Sequence, residues 1–261
     1  SLHRAAALLQ LDVMIEALGS GFQLSDATAY NVQFQGTRPV FIDHLSLTPY
    51  QDGQMWQAHR QFCMQFLNPL IMWTRLGLQP NAWFRGSLEG IAPEDLAPLL
   101  KFRHKASWTV FSHVVMQAWL HKKSLGNSGA TGQAAQGRLS RNALTAMLTG
   151  LREFIADMAL PQQDSVWGNY AHDNSYDSDD ARQKRQFVGD MVRATQPGLL
   201  FDFGCNSGDY SEIALDAGAQ RVVGFDYDHN ALEAAYRRFN AQGRWMLPLW
   251  LDAANPSPAQ G

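Results

Sequence analysis

Residues 199–228, LLFDFGCNSGDYSEIALDAGAQRVVGFDYD, read as strand, glycine turn, helix, second strand and then acids, and that order decides the fold. Leu199, Leu200 and Phe201 run into Asp202. Gly204 and Gly208 bracket a turn from which residues 210–217 start a helix, and Val222, Val223, Gly224 and Phe225 form a strand that Asp226 closes. In open α/β sheets ligands sit outside the carboxyl ends of the strands, where glycine lets the backbone approach them. The expectation is a nucleotide-type crevice.

Three readings compete for the turn DFGCNSG. The plainest is a tight connection between a buried strand and a helix. A dinucleotide turn wants Gly-x-Gly-x-x-Gly, but Asn206 takes the second glycine position and no third glycine follows in place; a phosphate loop fails because no Gly-Lys-Ser/Thr occurs. S-adenosylmethionine fits better. Its pattern is an acid two residues before the first glycine, a glycine loop, and an acid closing the next strand, met here by Asp202, Gly204, Gly208 and Asp226. Asn206 is a mild departure, since asparagine tolerates positive φ better than other non-glycine residues. Asp226 is placed to accept both ribose hydroxyls. Asp202 would repel a diphosphate but suits the ammonium end of a methionine. Cys205, within the turn, is expected to pack under the cofactor; its place near a helix N-terminus offers the alternative of a lowered thiol pKa. Residues 245–251 form a third apolar strand ending in Asp252, placed for the adenine amine, and Tyr227 lines the adenine face. A turn cap is the competing role for Asp252.

Composition sets the bounds. The chain has 261 residues, 46% apolar and 17% charged, which is ordinary globular material and excludes disorder throughout. Residues 1–160 carry 13 basic and 10 acidic side chains, and 161–261 carry 8 and 14, so the second part lacks the basic footprint of a nucleic-acid binder. Only two cysteines occur, Cys63 and Cys205, which points to a reducing, cytoplasmic setting without disulfides. No signal peptide is visible, and no apolar run reaches the roughly 18 to 20 residues that span a bilayer. The chain lacks an initiator Met and stops in LPLWLDAANPSPAQG just after the third strand, so both ends are expected to be cut from a longer sequence.

Upstream, residues 2–18 read as a helix and residues 31–42 as a hairpin across Gly36. A helix over 55–67 is expected to stop at Asn68-Pro69. A short helix follows at 93–100, and an apolar core helix at 106–120 lies between basic clusters; Trp108 and Trp119 near its ends also suggest an interfacial helix. His59 and His113 stand as lone helix histidines, so no metal site is expected. Residues 124–137 are the clearest linker, rich in Gly, Ser, Ala and Gln. Helices over 144–158 and from Ser178 lead into the opening stretch. The expected organisation is a mainly helical 1–123 with the hairpin, a linker at 124–138, and the cofactor domain at 139–261.

Five segments together, DATAYNVQFQGTRPVFID, WQAHRQFCMQFLNPLIM, SYDSDDARQKRQFV, DFGCNSGDYSEIAL and LDAANPSPAQG, resemble a bacterial, nodulation-protein-like family of class I S-adenosylmethionine-dependent methyltransferases. The resemblance covers almost the whole chain. It implies a seven-stranded Rossmann-like sheet of which the first three strands are present, with the acceptor-facing fourth strand beyond residue 261. Methyl transfer from a sulfonium is an in-line displacement that rests mainly on positioning. No general base is assigned, the acceptor is open, and Tyr170, His172 and Tyr176 are lid candidates over the sulfonium.

Two other classes stand beside this reading. Asp26, Asn31 five residues later and Asp43 after the hairpin match the layout of a kinase-type phosphotransferase or an ATP-binding pseudokinase lobe. Against it, Leu24 stands where a His normally precedes the Asp, His44 replaces the usual aromatic, and no phosphate loop precedes. A non-catalytic S-adenosylmethionine-binding module is the third class.

Overall fold

A computed structural model describes residues 1–126, 139–161 and 178–256. The chain divides into two compact units: one holds residues 3–33 and 40–161, the other residues 1–2, 34–39 and 162–261.

The first unit opens with α1 (Leu2–Gly19), which buries Ala6, Ala7, Gln10, Leu11, Met14, Ala17 and Leu18. That is the three-and-four spacing of one helix face. A short strand β1 (Phe22–Leu24) pairs antiparallel with β4 (Leu47–Pro49), a pairing the sequence reading did not contain. Between them in sequence comes the expected hairpin, β2 (Val32–Gln35) and β3 (Arg38–Phe41), turning through Gly36 at φ +60°; its residues 34–39 cluster with the second unit.

The helix expected over 55–67 begins later and ends later. Residues 55–58 are not helical; Trp56 is buried and its indole donates to the Leu24 carbonyl at 2.9 Å. The helix α2 then runs unbroken through His59–Phe62, a π turn Cys63–Leu67, and Asn68–Leu76. Pro69 was expected to stop it. The π turn is what admits the proline: the Asn68 N–H reaches back to the Cys63 carbonyl, so the Met64 carbonyl loses its ordinary partner, and Pro69 has no N–H to offer it. The Ile91 N–H takes that carbonyl instead, at 2.9 Å.

Two short helices follow, α3 (Asn81–Gly86) and α4 (Pro93–Leu99), then a single turn α5 (Phe102–Lys105). The helix α6 runs through Trp108–Val110, a second π turn Phe111–Val115, and Met116–Gly126. It is not the core helix expected: it buries Val110, His113 and Val114, while Trp108, Phe111, Trp119 and Leu120 are exposed. The helix α7 (Arg141–Ala156) is capped by the Ser140 hydroxyl and buries Leu144, Leu148, Leu151 and Ile155. It clusters with this first unit, not with the residues that follow it as the 139–261 division expects. Its Arg152 pairs with Asp12 of α1, and the Arg4 guanidinium reaches the Met158 carbonyl at 3.0 Å.

The second unit is built on α8 (Ser178–Thr195), β5 (Leu200–Phe203), α9 (Asp209–Asp216), β6 (Val222–Asp226), α10 (His229–Gln242) and β7 (Met246–Trp250). The three strands are parallel in the order β5-β6-β7, with Phe201 opposite Val223 opposite Leu247. Parallel neighbours need a crossover helix, which α9 and α10 supply. One face of the sheet joins the core of Val222, Met246, Ala214, Leu232, Ala235 and Phe239. On the other face Phe201 is 56% and Phe203 67% exposed. No described helix of either unit is long and apolar enough to cross a membrane.

Candidate functional site

The turn after β5 takes the shape the glycine spacing expects. Gly204, Asn206 and Gly208 have φ of +75°, +48° and +88°, all left-handed. The amides of Gly204 and Cys205 both donate to the Phe225 carbonyl of β6, at 2.8 and 3.0 Å, which fixes the turn at the C-terminal end of the neighbouring strand. A Cβ on Gly204 would meet nothing within 4 Å, so the backbone there faces open space; one on Gly208 would lie 2.6 Å from the Phe239 ring, so this glycine serves packing. Gly224 serves Cys205 in the same way. A Cβ at Gly224 would stand 2.8 Å from the Cys205 sulfur. Cys205 is buried, and burial first, then Asp202 and Asp226, push its thiol pKa up. It is a packing cysteine, and the alternative of a lowered pKa is set aside.

Two carboxylates flank the turn. Asp226, at the end of β6, accepts from the Asn206 N–H on one oxygen and the Asp228 N–H on the other, each at 2.8 Å. Each oxygen keeps a further lone pair for a ligand hydroxyl. Asp202 accepts from the Ser211 hydroxyl at 2.6 Å. Its pKa is raised, first by burial and then by the negative charge of Asp226, while the Ser211 hydrogen bond and Lys184 oppose the shift. Ser211, fully buried one turn into α9, was not anticipated; its signal is only a serine that faces back toward the strand acid.

The remaining anticipated residues are placed less uniformly. Tyr227 is 64% exposed and lies 5.8 Å, ring to ring, from Trp250, whose indole donates to the Tyr227 carbonyl at 2.9 Å. Trp250 also stacks on His229, and neither was anticipated. Asp252 accepts from the Ala254 and Asn255 amides at 3.0 and 3.2 Å, the capping role set beside its adenine role. Tyr170, His172 and Tyr176 lie outside the described residues.

In the other unit, Asp26 and Asp43 each hold their own loops, accepting from the Thr28 and Leu45 amides at 2.8 and 3.0 Å. Those are the bonds of a capped hairpin, and they give the phosphotransferase reading no support. His59 and His113 are not lone residues. Their rings meet at 2.8 Å, Nε2 to Nδ1, with Cys63 beside them.

Comparison with known proteins gives a consistent direction. No family model matches the chain. Nodulation protein NoeA of Rhizobium meliloti (strain 1021) is 43% identical over 260 residues, 99% of this chain and 55% of that protein. The ribosomal protein L11 methyltransferase of Tolumonas auensis is 44% identical over 64 residues, covering 23% of this chain and 21% of its own length. That of Hamiltonella defensa is 40% identical over 68 residues, 25% and 22% of the two chains. The chain therefore spans about half the length of NoeA. The alignment with NoeA runs along nearly the whole chain at 43% identity, so the chain is similar to a nodulation protein over about half of that protein's length, and it shares one stretch of sequence with ribosomal protein L11 methyltransferases.

Proposed function

We propose that the unit built on β5, β6 and β7 is the donor-binding part of a Rossmann-like, class I methyltransferase, holding S-adenosylmethionine at the turn between Asp202 and Gly208. Kinship with methyltransferases supports the reaction class. The observation that carries the ligand is electrostatic. Two carboxylates stand at one glycine turn, and the half-buried Asp202 has its pKa raised by burial and by Asp226, with Lys184 and the Ser211 hydroxyl only partly opposing the shift. Such a place suits a cation and repels a diphosphate, which disfavours NAD and ATP.

In this reading Asp226 accepts the ribose hydroxyls, Asp202 faces the ammonium group, and Tyr227 lines the adenine. The exposed backbone of Gly204 leaves room for the methionine part. Cys205 and Asn206 shape the turn, and Asp252 either caps its own loop or turns to the adenine amine. The bound donor supplies an electrophilic methyl group, so the chain's own residues have to bind, orient and exclude water; acid–base chemistry is secondary. The acceptor is not identified, and the activity of a protein the length of NoeA is part of the proposal.

Replacing Asp226 by Ala removes two charge-assisted hydrogen bonds to the ligand, each worth about 1.5–3 kcal/mol. Calorimetric titration with S-adenosylmethionine is expected to show affinity lowered at least about a hundredfold, in a variant whose circular dichroism is that of the parent. Unchanged affinity would refute the role of Asp226.

A further inference from the structure

Away from the donor turn, α2 and α6 bring three ligand-type side chains together. His59 and Cys63 are four residues apart on α2 and so share a helix face. His113 comes from α6, 54 residues away in sequence. The His59 Nε2 lies 2.8 Å from the His113 Nδ1 and 3.7 Å from the Cys63 sulfur, and the three donor atoms all lie within 4.8 Å of one another. Cys63 and His113 are buried and His59 is half-buried, which leaves one side for entry. Among the described residues no other His, Cys, Asp or Glu cluster does this.

The separations lie close to an ion's needs. A tetrahedral zinc with N at ~2.0–2.1 Å and S at ~2.3 Å sets N···N near ~3.3 Å and N···S near ~3.6 Å. The sulfur is already at that distance from His59, and the two imidazoles have to part by about half an ångström. The far nitrogen of His59, Nδ1, meets the Gln117 amide at 2.8 Å. With that amide turned so that its oxygen faces the ring, Nδ1–H donates to it and the Nε2 lone pair, which accepts from the His113 Nδ1–H, turns to a metal once His113 takes its other tautomer. Two of the three ligands lie in π turns, Cys63 opening Cys63–Leu67 and His113 central in Phe111–Val115, while His59 stands in the α-helical turn just before Cys63. Such turns recur at functional sites.

Burial lowers the His59 and His113 imidazole pKa values to about 3 and about 4 and pushes the Cys63 thiol up, so the unliganded cluster is uncharged and a metal has to displace the thiol proton. Arg60, the nearby cation, is bound bidentately to Glu94 at 3.1 and 2.9 Å, which offsets its repulsion of a metal.

We propose that His59, Cys63 and His113 form a three-ligand site for a zinc-type divalent cation, with a fourth position open to water or another donor. Binding forms two metal–nitrogen bonds and one metal–sulfur bond and releases the Cys63 proton to solvent; no electron is transferred. A set of two imidazoles and a thiolate suits zinc, and its lack of carboxylate oxygen disfavours magnesium and calcium. The site does not depend on the methyl-transfer reading.

Cobalt(II) titration of the untagged chain tests it. The expected result is one equivalent bound, with visible d–d bands and a near-ultraviolet thiolate-to-cobalt absorption, both removed by one equivalent of zinc(II). Cys63→Ser should lose the thiolate band, Cys205→Ser should keep it, and Gln117→Ala should bind at least about tenfold more weakly. If Cys63→Ser does not fold, the wild-type spectrum and Gln117→Ala decide. A wild-type chain that takes up neither cobalt nor zinc, or a band that survives in folded Cys63→Ser, would overturn the site and leave a hydrogen-bonded packing cluster.

Discussion

Asp202 and Asp226 stand on adjacent strands beside one glycine turn, and they differ in how each carboxylate is held. Asp226 is held by two backbone amides, whereas Asp202 accepts from the Ser211 hydroxyl and has a pKa raised by burial. A protonated Asp202 has no charge to offer a cation. Ligand affinity is therefore expected to rise with pH through the raised Asp202 value and to level off above it, with a proton released on binding at and below that value. Titrations in buffers of different ionisation enthalpy measure that proton directly. In Asp202→Asn the pH dependence and the proton release should both vanish; if they persist, another group is responsible. The identities in the turn were readable because they are local: a glycine pattern and an acid at a strand end are visible within thirty residues of sequence. Ser211 and Trp250 were not, since a serine early in a helix and a tryptophan in a strand have no distinguishing signal until they face a partner.

At the level of elements, α2 is where sequence and structure part. Asn68-Pro69 reads as a stop, because a proline inside an α-helix normally leaves a carbonyl unpaired and clashes with the preceding turn. The π turn removes both difficulties, with the Met64 carbonyl bonded to the Ile91 N–H of a loop more than twenty residues on. That loop approaches so closely that a Cβ on Gly90 would lie 2.3 Å from the Met64 oxygen, and Gly90 has φ +85°. Gly90→Ala should therefore destabilise the first unit by more than about 2 kcal/mol, the sum of left-handed strain and a backbone clash. Urea unfolding followed by tryptophan fluorescence checks this, and an unchanged midpoint would mean that the loop shifts freely. The hairpin and α1 were legible from period and turn residues. The meeting of His59 with His113 was not: it depends on how two helices pack, and no spacing along the chain encodes that.

At the scale of the whole molecule, among the described residues of the second unit the sheet is covered on one side only. Phe201, Phe203 and Phe225 gather on the other face, Phe203 and Phe225 with ring centroids 5.1 Å apart and nearly parallel. Apolar clusters left open to water mark surfaces that other chain segments or partners cover. The described chain is thus expected to bind a hydrophobic dye and to self-associate as concentration rises. Phe203→Ser should weaken both, as dye fluorescence and light scattering would record; equal dye binding in the variant would place the sticky surface elsewhere. The β5-α9-β6-α10-β7 order was readable from periodicity and turn residues. The allegiance of α7 was not, because its apolar face is equally suited to either core until Arg152 finds Asp12.

The choice of ligand is the claim on which the donor site stands, and equilibrium dialysis of the chain against labelled S-adenosylmethionine, NAD and ATP tests it most directly. One S-adenosylmethionine bound per chain, displaced by S-adenosylhomocysteine and not by NAD or ATP, is the predicted result. Stoichiometric binding of NAD or ATP with S-adenosylmethionine excluded would contradict a site built for a cation beside Asp202 and Asp226.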